Sequence, residues 1–316
     1  MTTGRRSTRS AAGDERAFTA GLARFFGGGA GILVGIGDDA AVVHNRAAES
    51  VLCCDPVVEG VHFTAGTDPA LVGRKAVNRN LSDLAAMGAR VDWLLVSLVL
   101  PPRFPRPRRN ALLRGIRSAA AASGGRVVGG DVAVARGPLV VTVSAIGHCE
   151  HAVLRRDAAH AGDALHVTGP LGGSRLGRHL RFRPALAEGQ WLARHCPPVR
   201  AAIDVSDGLL LDLATLLQAS GGLGAELDEA ALPVAAAAHR LARGDANAAL
   251  QHAFGDGEDH VLLFSVAAGA ALPRGGPLLP RARRAIGRVL ARPGLFLRRR
   301  DGTRVPLRKA GWQHAL

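Results

Sequence analysis

Short apolar runs alternate with longer amphipathic stretches along the first half of the chain. Runs rich in β-branched residues predict strands at 40–43, 51–54, 94–100, 126–128 and 139–146. Helical periodicity predicts helices at 15–26, 70–87 and 108–123. This alternation is typical of mixed α/β layers, so we predict an α/β domain at residues 14–148, preceded by a disordered lead-in at residues 1–13.

A second cycle of strands and helices begins near residue 164. Strands are predicted at 164–168, 201–205 and 261–266, with a glycine turn at 169–173 and a helix at 209–219. We therefore predict a second α/β domain at residues 149–316. The stretch 274–309 is rich in arginine and contains a single acid, Asp301, so it forms either a solvated face or a phosphate-facing surface.

The net charge first suggests a nucleic-acid partner. The chain of 316 residues carries a formal charge of +14, and its basic residues are almost all arginine, since the lysines are Lys75 and Lys309. Compositional bias of the genome explains this excess more simply. Aromatic residues make up 4% and tyrosine is absent, which leaves few stacking platforms for bases, so we disfavour nucleic acid as the main partner.

Cysteine usage and hydropathy indicate a cytoplasmic protein without a membrane partner. Cys53, Cys54, Cys149 and Cys196 include no CxxC pair, so neither a disulfide framework nor a zinc site is expected. The longest largely apolar run, residues 93–100, is much shorter than the roughly 20 residues that a membrane helix needs. The first residues lack the apolar core of an export signal.

The acidic residues carry the chemical signal. The chain has 26 of them, and several stand at strand ends or in glycine turns. These are Asp38, Asp39, Asp55, Asp83, Asp131, Asp204, Asp207, Glu258 and Asp259. Carboxylates at strand ends gather at one rim of a sheet, where they repel one another unless cations neutralise them. Mg²⁺ shared between carboxylates and substrate phosphates meets that need, so the pattern indicates a polyphosphate site.

Each piece of this pattern has a simpler alternative. An isolated GDD or GGD is typical of a turn, and Ser206 or Asp207 would suit the cap of the helix predicted at 209–219. The joint occurrence of these sites in one chain favours the metal hypothesis. The sequence holds neither a P-loop motif nor a GxGxxG between a strand and a helix, so a nucleotide would bind in another way.

Six segments, in sequence order, resemble the thiamine-monophosphate kinase family. They are GIGDDAAVV (35–43), DPVVEGVHF (55–63), KAVNRNLSDLAAMGA (75–89), GGDVAVARGPLVVTVSAIG (129–147), AIDVSDGLLLDLATL (202–216) and GDGEDHVLLF (255–264). The DPVVEGVHF and NLSDLAAMGA stretches are specific to that family. GDD and GGD occur throughout the superfamily of ATP-dependent enzymes related to aminoimidazole ribonucleotide synthetase. The resemblance covers nearly the whole chain from Asp14 onwards.

The resemblance implies a phosphotransferase reaction and a set of site residues. The γ-phosphoryl group of ATP would pass directly to thiamine monophosphate, assisted by several Mg²⁺ ions and without a protein nucleophile. The implied metal ligands are Asp39, Cys54 through its backbone carbonyl, Asp55, Asp83, Asp131, Asp204 and Asp207. The residues implied for ATP are Gly130, Asp131, Arg156 and Ser206, and those implied for thiamine monophosphate are His62, Glu258 and Trp312.

The resemblance also implies an architecture. It is a two-domain α/β fold of the aminoimidazole ribonucleotide synthetase type, in which the C-terminal domain closes over the nucleotide. The N-terminal sheets of two subunits would pair, so a homodimer is expected. In this arrangement Trp312 would stack on a thiamine ring.

The chain departs from the family pattern in three places. Cys53 and Cys54 stand where small hydroxyl residues are usual, and thiols are poor Mg²⁺ ligands. His260 and Val261 replace a tyrosine and an acid, and Arg175 replaces a small residue. These departures leave two alternatives, an ATP-dependent synthase or kinase of the same superfamily with a changed acceptor, and a degenerate paralogue that binds nucleotide without turnover.

Overall fold

The computed structural model describes residues 21–34, 36, 41–45 and 49–312. The predicted lead-in at residues 1–13 lies outside these ranges, as do Asp38 and Asp39. Residues 21–26 are helical, in agreement with the end of the helix predicted at 15–26. Strands β1 (Ile32–Val34) and β2 (Val42–Val43) follow as a short antiparallel pair.

The first large sheet is built from residues 51–148. Its strands are β3 (Val51–Val58), β4 (Arg90–Leu100), β5 (Arg126–Val134) and β6 (Val140–His148), in the order β3-β6-β4-β5. Helices α1 (Pro69–Ala86) and α2 (Arg106–Ser123) pack against one face of it. Along β6, Val141, Val143 and Ala145 are buried and alternate with half-buried residues, so they lie beneath the helices.

The opposite face of this sheet exposes apolar side chains. Leu52 on β3 is 69% exposed and Leu95 on β4 is 37% exposed. Large apolar side chains that share one exposed face mark an interaction surface. We call this surface, defined by Leu52 and Leu95, the open face.

Local sequence explains why helix α1 forms and lies so close to α2. Its N-cap is Asp68, whose side chain accepts a hydrogen bond from the Ala70 N–H at 2.9 Å, and Pro69 occupies the first turn. Gly73 lets the two helices approach each other, because a Cβ atom there would lie 2.3 Å from the Leu112 carbonyl oxygen. This close packing fixes the position of α1 over the sheet.

The second large sheet is built from residues 164–307. Its strands are β7 (Ala164–Val167), β8 (Val199–Asp204), β9 (Gly224–Asp228), β10 (Leu262–Val266), β11 (Gly287–Leu290), β12 (Gly294–Arg298) and β13 (Arg304–Leu307). They run in the order β13-β12-β9-β11-β7-β10-β8, and β12 is parallel to β9 while the other neighbours are antiparallel. The helices of this half are α3 (Arg178–Arg181), α4 (Leu186–Arg194), α5 (Leu209–Ala219), α6 (Ala236–Leu241) and α7 (Ala246–Gly255).

The main predicted elements are confirmed, with some shifted ends. The helix predicted at 209–219 is α5, whereas the strand predicted at 51–54 continues to Val58 and the strand predicted at 126–128 continues to Val134. The strands of the two sheets lie on either side of the boundary predicted at residues 148 and 149, which stays a prediction. In the ranges that the structure describes, no helix combines the length and the apolar character needed to cross a membrane.

The arginine-rich stretch 274–309 packs onto the second sheet. The guanidinium groups of Arg288 and Arg304 each lie 3.0 Å from a carboxylate oxygen of Glu226, and Arg298 Nη2 lies 2.7 Å from Asp228 Oδ2. These arginines are about half exposed, so their ion pairs add little stability. The pairs place opposite charges side by side on neighbouring strands. Of the two interpretations left open by the sequence, these contacts favour a solvated face.

Candidate functional site

Helix α1 meets the end of strand β8 at a buried contact. The Ser82 hydroxyl on α1 donates a hydrogen bond to Asp204 Oδ2 at 2.7 Å. Asp83 follows Ser82 on the same helix, and the Asp55 N–H on β3 donates to the Asn80 side-chain oxygen at 2.8 Å. The fold thereby brings Asp55, Asp83 and Asp204 from three elements close enough to act electrostatically on one another. We call these three residues the acidic group.

The members of the acidic group alter one another's ionisation. Burial raises the pKa of Asp83 to about 8, and the charges of Asp204 and Asp55 act in the same direction. Burial also opposes the ionisation of Asp204, yet its contact with His260 holds the pKa of Asp204 below its ordinary value. Asp55 Oδ2 lies 3.3 Å from Arg79 Nε. Burial and the acidic neighbours thus favour the protonated form of Asp83 in the metal-free fold.

The chemistry of the acidic group fits a hard divalent cation. Carboxylate oxygens are the ligands that Mg²⁺ prefers, and the pKa of Asp83 is raised by burial and, to a smaller extent, by the negative charges of its neighbours. Among the described residues, however, no three His, Cys, Asp or Glu side chains are already arranged to hold a metal ion. Asp55 is paired with Arg79 and Asp204 with Ser82, so metal ligation would require these carboxylates to turn from their present partners.

The turn after β8 is organised by Asp212, an acid that the sequence analysis did not single out. Asp212 Oδ2 on α5 accepts hydrogen bonds from the N–H groups of Asp207 and Gly208 at 3.0 and 3.1 Å. Helix α5 begins at Leu209, as predicted, but its N-cap is Gly208 with a φ of 120°. The alternative that Ser206 or Asp207 caps this helix is therefore wrong, because a glycine occupies the cap position.

The last described residues return to this turn. The Trp312 N–H donates a hydrogen bond to the Asp207 carbonyl oxygen at 2.9 Å. A Cβ atom at Gly311 would lie 2.7 Å from both the Asp207 carbonyl oxygen and Leu211 Cβ, so the chain passes close to α5. Trp312 is 46% exposed. The structure thus places a residue predicted for thiamine monophosphate next to one predicted for metal.

A second group of polar side chains joins the two sheets around Lys75, which is fully buried on α1. Its Nζ donates to the His62 carbonyl oxygen at 2.6 Å, lies 2.5 Å from Glu258 Oε1, and lies 2.9 Å from His179 Nδ1. The Val58 N–H donates to His62 Nδ1 at 3.0 Å. The structure therefore brings together His62 and Glu258, both predicted for thiamine monophosphate. We call Lys75, His62, Glu258 and His179 the lysine group.

Glu258 is held in this group as a carboxylate. Burial works against its ionisation, but contacts with His179 and Lys75 lower the pKa of Glu258 to about 2. The backbone of Glu258 has a φ of 52°, a left-handed conformation that is uncommon outside glycine. Its N–H donates to the Ser206 carbonyl oxygen at 2.6 Å, which pins this loop to the end of β8. Backbone and side chain together fix where the carboxylate lies.

The predicted glycine turn at 169–173 is bound to the same loop. The Gly172 N–H donates to both carboxylate oxygens of Asp259, at 3.0 and 2.9 Å. The Gly173 N–H donates to Asp256 Oδ2 at 2.8 Å. Asp259, one of the acids in the predicted metal pattern, thus serves to hold the glycine turn against the loop that carries Glu258.

Cys54 and Asp131 have their side chains on the open face rather than under the helices. The Ser144 hydroxyl donates to Cys54 Sγ at 3.2 Å, and Ser144 alternates along β6 with the residues buried beneath the helices. Asp131 is in register with Ser97 on β4, and its strand β5 forms the sheet edge opposite β3. Three strand spacings, about 14 Å, separate these edges. The implied metal ligands are therefore not all in one place, and the roles of Cys54 and Asp131 stay predictions.

Gly130 has a structural reason to be glycine. Its φ is 151°, and a Cβ atom there would lie 1.8 Å from the Val96 carbonyl oxygen on β4. A side chain at this position would displace the neighbouring strand. The GGD sequence is thus explained by the approach of two strands, whether or not a phosphate also binds there.

The residues predicted for ATP lie in different parts of the fold. Gly130 and Asp131 are on β5, while Ser206 precedes helix α5. The Arg156 carbonyl oxygen accepts a hydrogen bond from the Ser220 hydroxyl, just beyond the other end of α5, at 3.0 Å. A helix of 11 residues separates Arg156 from Ser206, about 16 Å along its axis. The structure does not bring these residues together.

A cleft of 1080 Å³ lies beside the site but is separate from it. Arg74, Arg178, Phe182 and His260 are among its lining residues. His260 stacks on Phe182 with ring centroids 4.1 Å apart, and its other neighbour is Asp204, 3.5 Å away. Asp259, from the predicted acidic pattern, also lines this cleft, whereas none of the described residues implied as ligands of metal, ATP or thiamine monophosphate does.

The sequence analysis did not single out Lys75, His179 and Asp212 as site residues. A signal existed for Lys75, because it is one of two lysines among 40 basic residues. Lysine and arginine are not interchangeable at a buried contact, because the planar guanidinium presents its donors differently from an ammonium. His179 lies 104 positions from Lys75, so no local pattern could have paired them.

Known proteins resemble this chain in both sequence and fold. The family model described as AIR synthase related protein, N-terminal domain, matches residues 37–149. The thiamine-monophosphate kinase of Rhodopirellula baltica is 40% identical over 278 residues, which cover 84% of this chain and 86% of that protein. The crystal structure of thiamine-monophosphate kinase from Stenotrophomonas maltophilia K279a has a TM-score of 0.73 and 32% identity, and the match covers 93% of this chain and 97% of that one.

A further solved structure, AaThiL complexed with AMPPCP and TMP, matches with a TM-score of 0.74 and 27% identity over 100% of both chains. These likenesses confirm the predicted two-domain type of α/β fold and the resemblance carried by the six motifs. The chain belongs to the thiamine-monophosphate kinase family, a family of kinases.

Proposed function

We propose that this protein transfers the γ-phosphoryl group of ATP to the phosphate of thiamine monophosphate, giving thiamine diphosphate and ADP. One observation carries the proposal: helix α1 contributes to both the acidic group and the lysine group, and each group also receives a residue from the second sheet or its loops. A relative of 40% identity bears this activity in its name, and one similar structure is a complex with AMPPCP and TMP.

The acidic group is proposed to hold Mg²⁺, with Asp207 from the adjoining turn and with Asp39, which lies outside the described residues. Bound Mg²⁺ would offset the repulsion between two phosphate anions and the charge on the transferred group. The Ser82 hydroxyl orients the Asp204 carboxylate, and Asp212 fixes the backbone from which the Asp207 side chain extends.

The remaining residues are proposed to orient the two substrates. No side chain acts as a nucleophile, because the acceptor phosphate itself attacks the γ-phosphorus, and the protein supplies position and charge. Glu258 and His62 face the acceptor, and the exposed indole of Trp312 stacks on a thiamine ring.

ATP is proposed to contact Gly130, Asp131, Arg156 and Ser206. Because these residues lie apart in the single chain, the site is completed when the domain of residues 149–316 closes over the nucleotide against the domain of residues 14–148. Ser206, between β8 and α5, is half-buried and so keeps part of its surface open to solvent in the single chain.

We also propose that the protein is a homodimer joined through the open face. Leu52 and Leu95 share this face, and Leu52 is more than two-thirds exposed in the single chain. Covering such a surface with a second copy of the same sheet would bury apolar area that otherwise faces water. The side chains of Cys54 and Asp131 would then lie near the partner subunit.

A reducing location, the cytoplasm, is proposed from the state of the thiols. Cys53 Sγ donates to the Asn80 carbonyl oxygen at 3.3 Å, and Cys149 Sγ donates to the Met87 carbonyl oxygen at 3.4 Å. Burial raises the pKa of Cys53, with the charges of nearby aspartates adding to the effect. Such thiols are structural groups that a reducing compartment preserves.

An assay of the purified protein with ATP, Mg²⁺ and thiamine monophosphate tests the proposed activity. We expect thiamine diphosphate to form, and we expect chelation of Mg²⁺ by EDTA to stop it. The same assay with thiamine and other phosphorylated acceptors tests a changed acceptor, which the named relatives do not favour. Absence of thiamine diphosphate across a range of Mg²⁺ concentrations would contradict the proposal.

A further inference from the structure

Lys75 is an unusual side chain because it is charged and yet fully buried. A buried ammonium is costly unless partners satisfy its charge and its three N–H donors. Lys75 Nζ donates to the His62 carbonyl oxygen at 2.6 Å, forms an ion pair with Glu258 Oε1 at 2.5 Å and lies 2.9 Å from His179 Nδ1. The lysine is therefore held in one place by contacts to three separate segments.

These three segments come from both halves of the fold. His62 precedes α1 in the first half, Glu258 lies in the loop before β10, and His179 lies on α3 after the glycine turn. Lys75 itself lies on α1, whose position is fixed by close packing against α2. A single buried ammonium thus sets the distance between the main chain of His62 and the carboxylate of Glu258.

The chemistry of the contact also requires lysine. The ammonium directs its three donors tetrahedrally from one nitrogen, whereas an arginine guanidinium spreads its donors in a plane. Arginine supplies almost all of the 40 basic residues of this chain, yet position 75 is lysine. Of the two lysines, Lys309 is exposed and Lys75 is buried, so the geometry singles out Lys75.

We propose that Lys75 is a positioning residue of the acceptor site, and that with His179 it holds Glu258 and His62 in the one arrangement that binds thiamine monophosphate. The inference rests on the proposed function and deepens it. Because Lys75 is fully buried, it acts through Glu258 and does not touch the acceptor. An ionised Glu258 selects an acceptor that presents a hydrogen-bond donor or a positive charge at this point.

Steady-state kinetics of Lys75→Met, with each substrate varied in turn, test this role. Methionine has a similar length but no charge and no donor. We expect the KM for thiamine monophosphate to rise about tenfold or more, while the KM for ATP changes less than about twofold. A folded Lys75→Met variant with an unchanged KM for thiamine monophosphate would overturn the inference.

A double-mutant cycle with Glu258→Gln shows whether Lys75 acts through Glu258. We expect Glu258→Gln alone to raise the KM for thiamine monophosphate, and Lys75→Met to add less than about twofold in the Glu258→Gln background. Independent, multiplying effects would show that Lys75 does not act through Glu258, and would overturn the proposed role.

The matched structural control is Asn78→Ala, one turn further along α1. Asn78 is also buried, and its Nδ2 donates to the Phe182 carbonyl oxygen at 2.8 Å, so it links α1 to the second half of the chain without touching the lysine group. We expect Asn78→Ala to lower the Tm but to leave both KM values within about twofold. An equal rise in the KM for thiamine monophosphate would mean that any loss of packing here has this effect, which contradicts a specific role for Lys75.

If Lys75→Met does not fold, variants of His179 test the same positioning role. His179→Ala removes one contact of Lys75, and we expect the KM for thiamine monophosphate to rise severalfold with the KM for ATP unchanged. His179→Asn provides an amide oxygen that can accept the same hydrogen bond, so it should restore most of the affinity. A wild-type KM for thiamine monophosphate in His179→Ala would overturn the inference.

The wild-type protein in each series separates failure of the inference from failure of the proposed function. If the wild type makes no thiamine diphosphate, the proposed function is wrong and the inference falls with it. If the wild type is active and the folded Lys75 and His179 variants bind thiamine monophosphate normally, only the inference is wrong.

Discussion

Replacing Asp83 by asparagine removes a titratable carboxyl from the acidic group while nearly preserving its shape. In the folded protein, burial raises the pKa of Asp83 to about 8, and the charges of Asp204 and Asp55 contribute to the shift. Asparagine has no proton to gain on folding and no charge to repel. We therefore expect Asp83→Asn to make the metal-free protein more stable and, at the same time, to remove most of its activity.

The size of the stability gain follows from proton linkage. The ordinary pKa is 3.8, so near neutral pH the unfolded chain has lost the proton that folded Asp83 still holds. The folded state binds more protons between these two pKa values, and the Asp83 contribution to stability therefore falls as the pH rises from about 4 to about 8. About 3 pH units at about 1.4 kcal/mol each set an upper limit of about 4 kcal/mol at neutral pH. Local relaxation reduces this limit, and we expect a gain of about 1 to 3 kcal/mol.

Thermal unfolding in EDTA at about pH 5 and at about pH 8 measures this effect. We expect the Tm of Asp83→Asn to exceed that of the wild type by at least about 2 °C, with the larger difference at the higher pH. Asp301→Asn is the control. Asp301 is exposed and lies between β12 and β13, outside the acidic group, so the Tm of this variant should stay near that of the wild type.

The same variant is assayed for thiamine diphosphate formation with saturating Mg²⁺, where we expect a loss of about a hundredfold or more. Near-normal activity would refute a role of Asp83 in holding metal. A lower Tm than the wild type at both pH values would refute the electrostatic account of the acidic group.

Three other substitutions have distinct expected outcomes. Trp312→Ala should raise the KM for thiamine monophosphate about fivefold or more with little change for ATP, and equal effects on both would contradict stacking on the acceptor. Asp212→Ala should cost about 1 to 3 kcal/mol in a denaturant melt, because it leaves the N–H groups of the Asp207 turn without their acceptor, whereas Asp212→Asn should keep most of that stability. Leu52→Glu should shift the protein from dimer to monomer in sedimentation velocity, and the equally charged control Leu279→Glu, at another exposed leucine, should not; a dimer that survives Leu52→Glu would contradict pairing through the open face.

Strongly periodic segments of the sequence predicted the corresponding elements well. Helices α1 and α5 and the strands of the first sheet have long apolar patterns with clear caps or turns at their ends. Strands β11, β12 and β13 were missed because they are four or five residues long and carry arginines on their exposed side. Neighbouring strands stabilise these short segments, and that information lies elsewhere in the chain.

The sequence predicted which acids lie close together where their motifs are on elements that contact each other. Asp83 on α1 and Asp204 at the end of β8 converge as expected for acids at strand ends and helix turns. Cys54 and Asp55 do not point to the same place, because neighbouring residues of a strand face opposite sides of its sheet. Strand periodicity could have shown this separation. The contact of Lys75 with Glu258 could not be read from sequence, since it depends on how the two halves pack.

The measurement that tests the central claim most directly follows the γ-phosphoryl group itself. Purified wild-type protein is mixed with Mg²⁺, thiamine monophosphate and ATP labelled at the γ-phosphorus, and the products are separated. The account predicts that the label appears in the terminal phosphate of thiamine diphosphate, in a one-to-one ratio with ADP. Label found only in inorganic phosphate, or retained in ATP, would contradict the account.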